Sequence, residues 1–128
     1  MMKTQDCDRT ILYIEDDSAS IELIQLLLEP YQRITLLTAM TAEEGIIVAD
    51  KYVPDLIFLD INLPVMSGRD ALTVLKLNPK LQNTRIIALS ADAYQHRIKQ
   101  ALAAGFDDYF TKPIDMQQIL DVITNLKT

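Results

Sequence analysis

Residues 54–60 read Pro54-Asp55-Leu56-Ile57-Phe58-Leu59-Asp60. The apolar run at 56–59 has no polar face and is too short for an ordinary helix. Such a run suits a strand of a parallel sheet that is covered on both sides. Four more dense apolar runs lie at 11–14, 34–37, 86–89 and 106–110.

Between these runs the apolar residues recur with helical spacing, and start and stop signals are explicit. The first helix opens near Asp17 or Ser18, carries Ile21, Ile24 and Leu28 on one face, and stops at Pro30. The second opens at Thr41 with Glu44 three residues on, a capping box. The third opens at Ser67, with Asp70 in the corresponding place, and stops before Pro79. The fourth runs from about Asp92 to Ala104 and ends at Gly105, a natural left-handed terminus. The fifth opens at Asp115, with Gln118 three on, and carries Ile119, Val122, Ile123 and Leu126. Strand and helix alternating in this way specify an α/β domain with right-handed crossovers and helices on both faces. Working residues of such a sheet lie beyond the carboxyl ends of its strands, at the switch point in strand order.

Composition agrees. The chain has 128 residues, 49% hydrophobic and 23% charged, which fits one globular domain and excludes a disordered chain. Three Gly and five Pro exclude a collagen-like or linker chain. A single cysteine, Cys7, excludes a disulfide scaffold and points to a reducing compartment; with no neighbouring base it is no catalytic thiol. Twelve Lys+Arg against 18 Asp+Glu give −6, so the chain lacks the basic face that nucleic acid requires. The polar N-terminus is no signal peptide, and no apolar cluster approaches the roughly 20 residues of a membrane span. The expected location is the cytoplasm. No internal repeat or Gly/Ser/Pro linker divides the chain.

The strand ends carry the chemistry. The first ends in Glu15-Asp16-Asp17, the third in Asp60, the fourth in Ser90, and the fifth is followed by Thr111-Lys112-Pro113. The second ends blandly in Thr38-Ala39. Two like charges about 4 Å apart repel by roughly 4 kcal/mol at an effective dielectric near 20. Gathered carboxylates therefore need cations, and Lys112 supplies one. All-oxygen ligands favour Mg²⁺ over zinc or copper for the remainder. Beside a hard metal, an Asp can attack phosphorus and form an aspartyl phosphate.

The segments ILYIEDD, PDLIFLDINLPVMSG, IIALSA and FDDYFTKPID, in this order at strand ends, make the sequence resemble a receiver domain of two-component signalling. This is the family of the chemotaxis response regulators, and the resemblance covers nearly the whole chain. It implies a single doubly wound (βα)5 flavodoxin-like domain over 1–128, with a core of about 10–127 and strand order 2-1-3-4-5. By resemblance Asp60 is the phosphorylated aspartate. Glu15 and Asp16 match the acidic pair that holds Mg²⁺ directly or through water, and Asn62 the position whose backbone carbonyl completes the metal site. Ser90 matches the switch hydroxyl, Lys112 the lysine that pairs with the phosphate, and Tyr109 the aromatic that turns inward when the hydroxyl moves. A cis Lys112-Pro113 bond is expected too.

Two details depart from the commonest pattern. The pair is Glu-Asp where Asp-Asp is more frequent, which leaves open whether Glu15 touches metal directly. The register Asp16-Asp17 is an alternative, but aligning ILYI with the strand favours Glu15-Asp16. The switch residue is Ser rather than Thr, which keeps the hydroxyl.

Taken singly, each residue has a plainer reading. The acidic run is a helix N-terminus, Asp60 a turn residue before Pro64, Ser90 a cap and Lys112 a solvated lysine. The first of these is expected to hold for Asp17. Tyr109 could be core, Tyr94 and Phe110 are expected to pack, and His96, beside Arg97 and Lys99, to be solvated. The joint placement favours a phosphoacceptor switch. A histidine kinase or phosphotransfer protein would donate to Asp60, and the face formed by the fourth helix, fifth strand and fifth helix would respond. Such a domain catalyses only its own phosphorylation and dephosphorylation. The alternative is a receiver-like scaffold that binds partners unphosphorylated. A flavin module is disfavoured because EDDSAS would repel a flavin phosphate. Five strand-helix units consume the chain, so output is expected from a partner or a linked domain, and a free-standing relay protein and a piece of a hybrid kinase are both open.

Overall fold

The computed structural model describes residues 8–126. The expectations for Cys7 and the polar N-terminus therefore lie outside the described residues. The strands are β1 Arg9–Ile14, β2 Ile34–Ala39, β3 Leu56–Asp60, β4 Arg85–Ser90 and β5 Asp108–Thr111. The helices are α1 Ser18–Leu28, α2 Ala42–Tyr52, α3 Gly68–Leu77, α4 Gln95–Ala104 and α5 Met116–Thr124. The sheet order is β2-β1-β3-β4-β5, and every pairing is parallel. This is the doubly wound α/β architecture that the alternation specifies.

The pleat of each strand divides the core in two. Leu12, Ile14, Ile57 and Leu59 face one layer with Leu72, Leu75 and Ala101. Ile11, Tyr13 and Phe58 face the other with Ile21, Ile24, Ile119 and Ile123. The central strand β3 is buried along its whole length, as a double-sided strand must be.

Local signals set the helix starts. Thr41 accepts from the Glu44 N–H at 3.0 Å, and Ser67 from the Asp70 N–H at 3.2 Å. Asp17 caps α1, accepting from the Ala19 N–H at 3.3 Å and the Ser20 hydroxyl at 2.7 Å. Asp115 caps α5 through the Gln117 N–H at 2.8 Å. Each such cap is worth about 1 kcal/mol. Gly105 closes α4 at φ 122°, where a side chain would be strained.

Three expectations are corrected. The fifth strand starts at Asp108, not Phe106. The Phe106 N–H still bonds to the Ala101 carbonyl at 3.2 Å, and its ring fills the core from the α4–β5 turn. The fourth helix starts at Gln95 rather than Asp92, because Asp92 folds its carboxylate onto the Tyr94 N–H at 3.0 Å in a turn. Tyr94 does not pack: it is 70% exposed at the head of α4. Its ring stacks on exposed His96 with centroids 5.9 Å apart. Phe110 does pack, 6.1 Å from Phe58.

Candidate functional site

Glu15, Asp60 and Ser90 are buried where β1, β3 and β4 end. The Glu15 N–H bonds to the Ala39 carbonyl at 3.0 Å, which carries the β1–β2 ladder one residue further and holds Glu15 inward. Asp16, next in the chain, is exposed. Carboxylate oxygens of Glu15, Asp16 and Asp60 all lie within 4.8 Å of one another. Lys112 reaches them from the β5–α5 loop, its Nζ 3.1 Å from Asp60 Oδ2 and 2.6 Å from Glu15 Oε1. The Lys112–Pro113 bond is cis.

The electrostatics of this cluster are strained. Three carboxylates against one ammonium leave two negative charges when all are ionised. Burial pushes the Glu15 carboxyl up to about 7, and its hydrogen-bonding contact with Asp60 adds to the rise, while Lys112 pulls it back. Burial works against the Lys112 charge, but Glu15 and Asp60 outweigh it and raise its pKa above the ordinary lysine value. Glu15 Oε1 is buried, and the Lys112 ammonium meets it at 2.6 Å. One ammonium shared between two buried carboxylates leaves the cluster short of positive charge. A hard divalent cation would remove that deficit and the repulsion, and the all-oxygen donor set fits Mg²⁺.

Hydrogen bonds fix the surroundings of Asp60. Its Oδ1 accepts from the Asn62 N–H at 2.9 Å. Ser90 Oγ accepts from the Asp92 N–H at 3.1 Å and from the Asn62 side-chain amide at 3.5 Å. The Lys112 N–H bonds to the Ser90 carbonyl at 2.8 Å, tying β5 to β4 at the site. Gly68, at the head of α3, packs so closely that a Cβ there would collide with the Asp60 carbonyl oxygen and lie 2.7 Å from Ile61 Cα.

Glu15, Asp16, Asp60, Asn62, Ser90 and Lys112 therefore converge. Tyr109 is buried on the α4 side and joins them indirectly, its hydroxyl donating to the Asp92 carbonyl at 2.5 Å. Sequence reasoning missed Asp92. It receives Tyr109, donates to Ser90, and holds Arg97 Nε 3.5 Å from its Oδ2. Its only signal was an Asp two residues past a strand-end Ser. His96 is solvated, as expected.

Comparison with known proteins agrees with this geometry. The model of the response regulator receiver domain matches residues 11–124. The cell cycle transcriptional regulator CtrA of Caulobacter vibrioides is 39% identical over 110 residues, covering 86% of this chain and 46% of that protein. The chain thus spans about half the length of the curated relatives it matches. Among solved structures, the receiver domain of Saccharomyces cerevisiae Ssk1, crystallised with the histidine phosphotransfer protein Ypd1, is 26% identical with TM-score 0.84, covering 92% of this chain and 88% of that one. The receiver domain of the Pseudomonas aeruginosa sensor kinase PA1611, with magnesium in its active-site cleft, has TM-score 0.82 at 24% identity, covering 94% and 98%. With the family model spanning nearly all of the sheet and its acidic end, the chain belongs to the response regulator receiver domains.

Proposed function

We propose that this domain is a Mg²⁺-dependent phosphoacceptor whose Asp60 takes a phosphoryl group from the phosphohistidine of a histidine kinase or phosphotransfer protein. The observation that carries the reading is the convergence of Asp60, Glu15, Asp16 and Lys112 in a cluster with three carboxylates and one ammonium. Glu15, Asp16, Asp60 and the backbone carbonyl of Asn62 would hold the metal, which supplies charge neutralisation at the phosphoryl oxygens. An Asp60 oxygen forms the bond to phosphorus as the P–N bond of phosphohistidine breaks, and the electron pair returns to the imidazole. The Lys112 ammonium, already 3.1 Å from Asp60 Oδ2, pairs with the transferred group. The Ser90 hydroxyl accepts two hydrogen bonds and donates none among the described residues, so its proton is available to a phosphoryl oxygen.

Movement of Ser90 toward that oxygen pulls on the Asp92 N–H, and through Asp92 on Tyr109 and Arg97. The face of α4, β5 and α5 then changes, and with it the affinity for a downstream effector or linked output domain. The aromatic switch starts from an inward, hydrogen-bonded Tyr109. The domain phosphorylates and dephosphorylates itself and turns over no separate substrate. Among the described residues no helix is long and apolar enough to cross a membrane. A domain with one cysteine, paired with a cytoplasmic kinase module, belongs in the cytoplasm.

The test is incubation with Mg²⁺ and acetyl phosphate, followed by intact mass. One added phosphoryl group is expected in the wild type and none in Asp60→Asn. An adduct that persists in Asp60→Asn sinks the assignment.

A further inference from the structure

Beside Ser90 lies a second polar feature, a solvent-open cavity of about 180 Å³ whose walls include Asn62, Arg69, Ser90, Asp92, Arg97 and Tyr109. A single water needs only about 10–15 Å³ on this measure, so an anion of several heavy atoms fits. Neither Lys112 nor Asp60 is one of its walls, and the cavity adjoins the acidic cluster through Asn62, which bonds to both Asp60 and Ser90. Arg97 is already paired with Asp92 at 3.5 Å. The Arg69 guanidinium has no hydrogen bond or ion pair among the described residues, and the Thr73 hydroxyl bonds only to its backbone carbonyl. In a chain of net charge −6, an unpaired guanidinium at a cavity next to the acidic cluster stands out.

We propose that this cavity receives the leaving group of a small phosphodonor, and that Arg69 makes the site selective for acyl phosphates, whose leaving group departs as an anion. The inference rests on Asp60 being the phosphoacceptor. With acetyl phosphate, an Asp60 oxygen bonds to phosphorus while the P–O bond to the acetyl group breaks. The electron pair leaves on that oxygen and acetate departs with one negative charge. With phosphoramidate the P–N bond breaks, the pair stays on a nitrogen that already carries three protons, and neutral ammonia departs. Both donors bring the same phosphoryl group, so the attraction of Arg69 for that group cancels in the ratio of the two rates. The charge developing on acetate does not cancel, and a guanidinium in the cavity stabilises it. An ion pair this open to solvent changes the ratio by a few-fold rather than by orders of magnitude.

The experiment measures phosphorylation rates of the full chain with Mg²⁺ and each donor, in the wild type, Arg69→Gln and Arg69→Lys. The acetyl phosphate to phosphoramidate ratio should fall about two- to fivefold in Arg69→Gln, with most of it restored in Arg69→Lys. An unchanged ratio in Arg69→Gln, with both donors still phosphorylating, overturns the inference and leaves the phosphoacceptor reading intact. An equal fall in both variants assigns the effect to lost packing and overturns it too. Failure of both donors on the wild type overturns this inference and the phosphoacceptor reading together.

Discussion

Acidifying the solution from about pH 8 to about pH 6 should weaken Mg²⁺ binding roughly tenfold, and Glu15 is the cause. Its side chain is 1% exposed, and its carboxyl is pushed up to about 7, first by burial and then by Asp60. Metal requires the carboxylate, so below about pH 7 binding must first displace a proton. With one proton in competition, the apparent dissociation constant scales as one plus ten to the power of pKa minus pH. For a pKa near 7 that factor is about 1 at pH 8 and about 11 at pH 6. Isothermal calorimetry at several pH values, in two buffers of different ionisation enthalpy, reads both the affinity and the proton released. Release should approach one proton at about pH 6, about half a proton at pH 7, and near zero at pH 8. Glu15→Gln should flatten this dependence. A wild-type affinity constant across that range, with no proton released, refutes the reasoning.

The same shift sets a stability window for the metal-free protein. A folded-state pKa raised from 4.5 to about 7 means the folded chain keeps a proton that the unfolded chain has lost. The stabilisation is fully present below about pH 4.5 and is lost as pH rises to about 7, and saturating Mg²⁺ should abolish the loss; melting curves with and without metal check this. Gly68→Ala should cost about 1–3 kcal/mol and slow phosphorylation, because the added Cβ meets rigid backbone at Asp60 and Ile61; denaturant titration and the acetyl phosphate rate read both effects. Val65 holds φ 66° while 98% exposed, so Val65→Asn should raise stability by about 1 kcal/mol, seen as a higher melting temperature. The Tyr13 hydroxyl is buried with no partner among the described residues, so Tyr13→Phe should be neutral or stabilising by about 1 kcal/mol in the same assay.

The sheet was legible because strands buried on both sides must be apolar along their length, as in β3 up to Leu59 and in β1 from Ile11 on. Helix starts were legible at Asp17, Thr41, Ser67 and Asp115, because a cap is a local interaction whose donor lies within three residues. Phe106 misled because apolarity reports burial, and a ring can reach the core from a turn as well as from a strand. Tyr94 misled in the opposite sense: its burial depends on where α4 begins, and Asp92 moves that start to Gln95. Asp60, Glu15, Asp16, Ser90 and Lys112 were legible as strand-end chemistry. Asp92 and the cavity between Arg69 and Arg97 were not, since they arise from contacts between α3, α4 and β5 that no spacing encodes.

The central claim is that Asp60 carries the phosphoryl group, and peptide mapping of the phosphorylated chain tests it most directly. The chain is treated with Mg²⁺ and acetyl phosphate, the aspartyl phosphate is trapped by borohydride reduction, and the digest is analysed by mass spectrometry. The account predicts reduction at Asp60, dependent on Mg²⁺ and on phosphodonor. Modification at any other residue, or none under conditions that saturate the metal site, would contradict it.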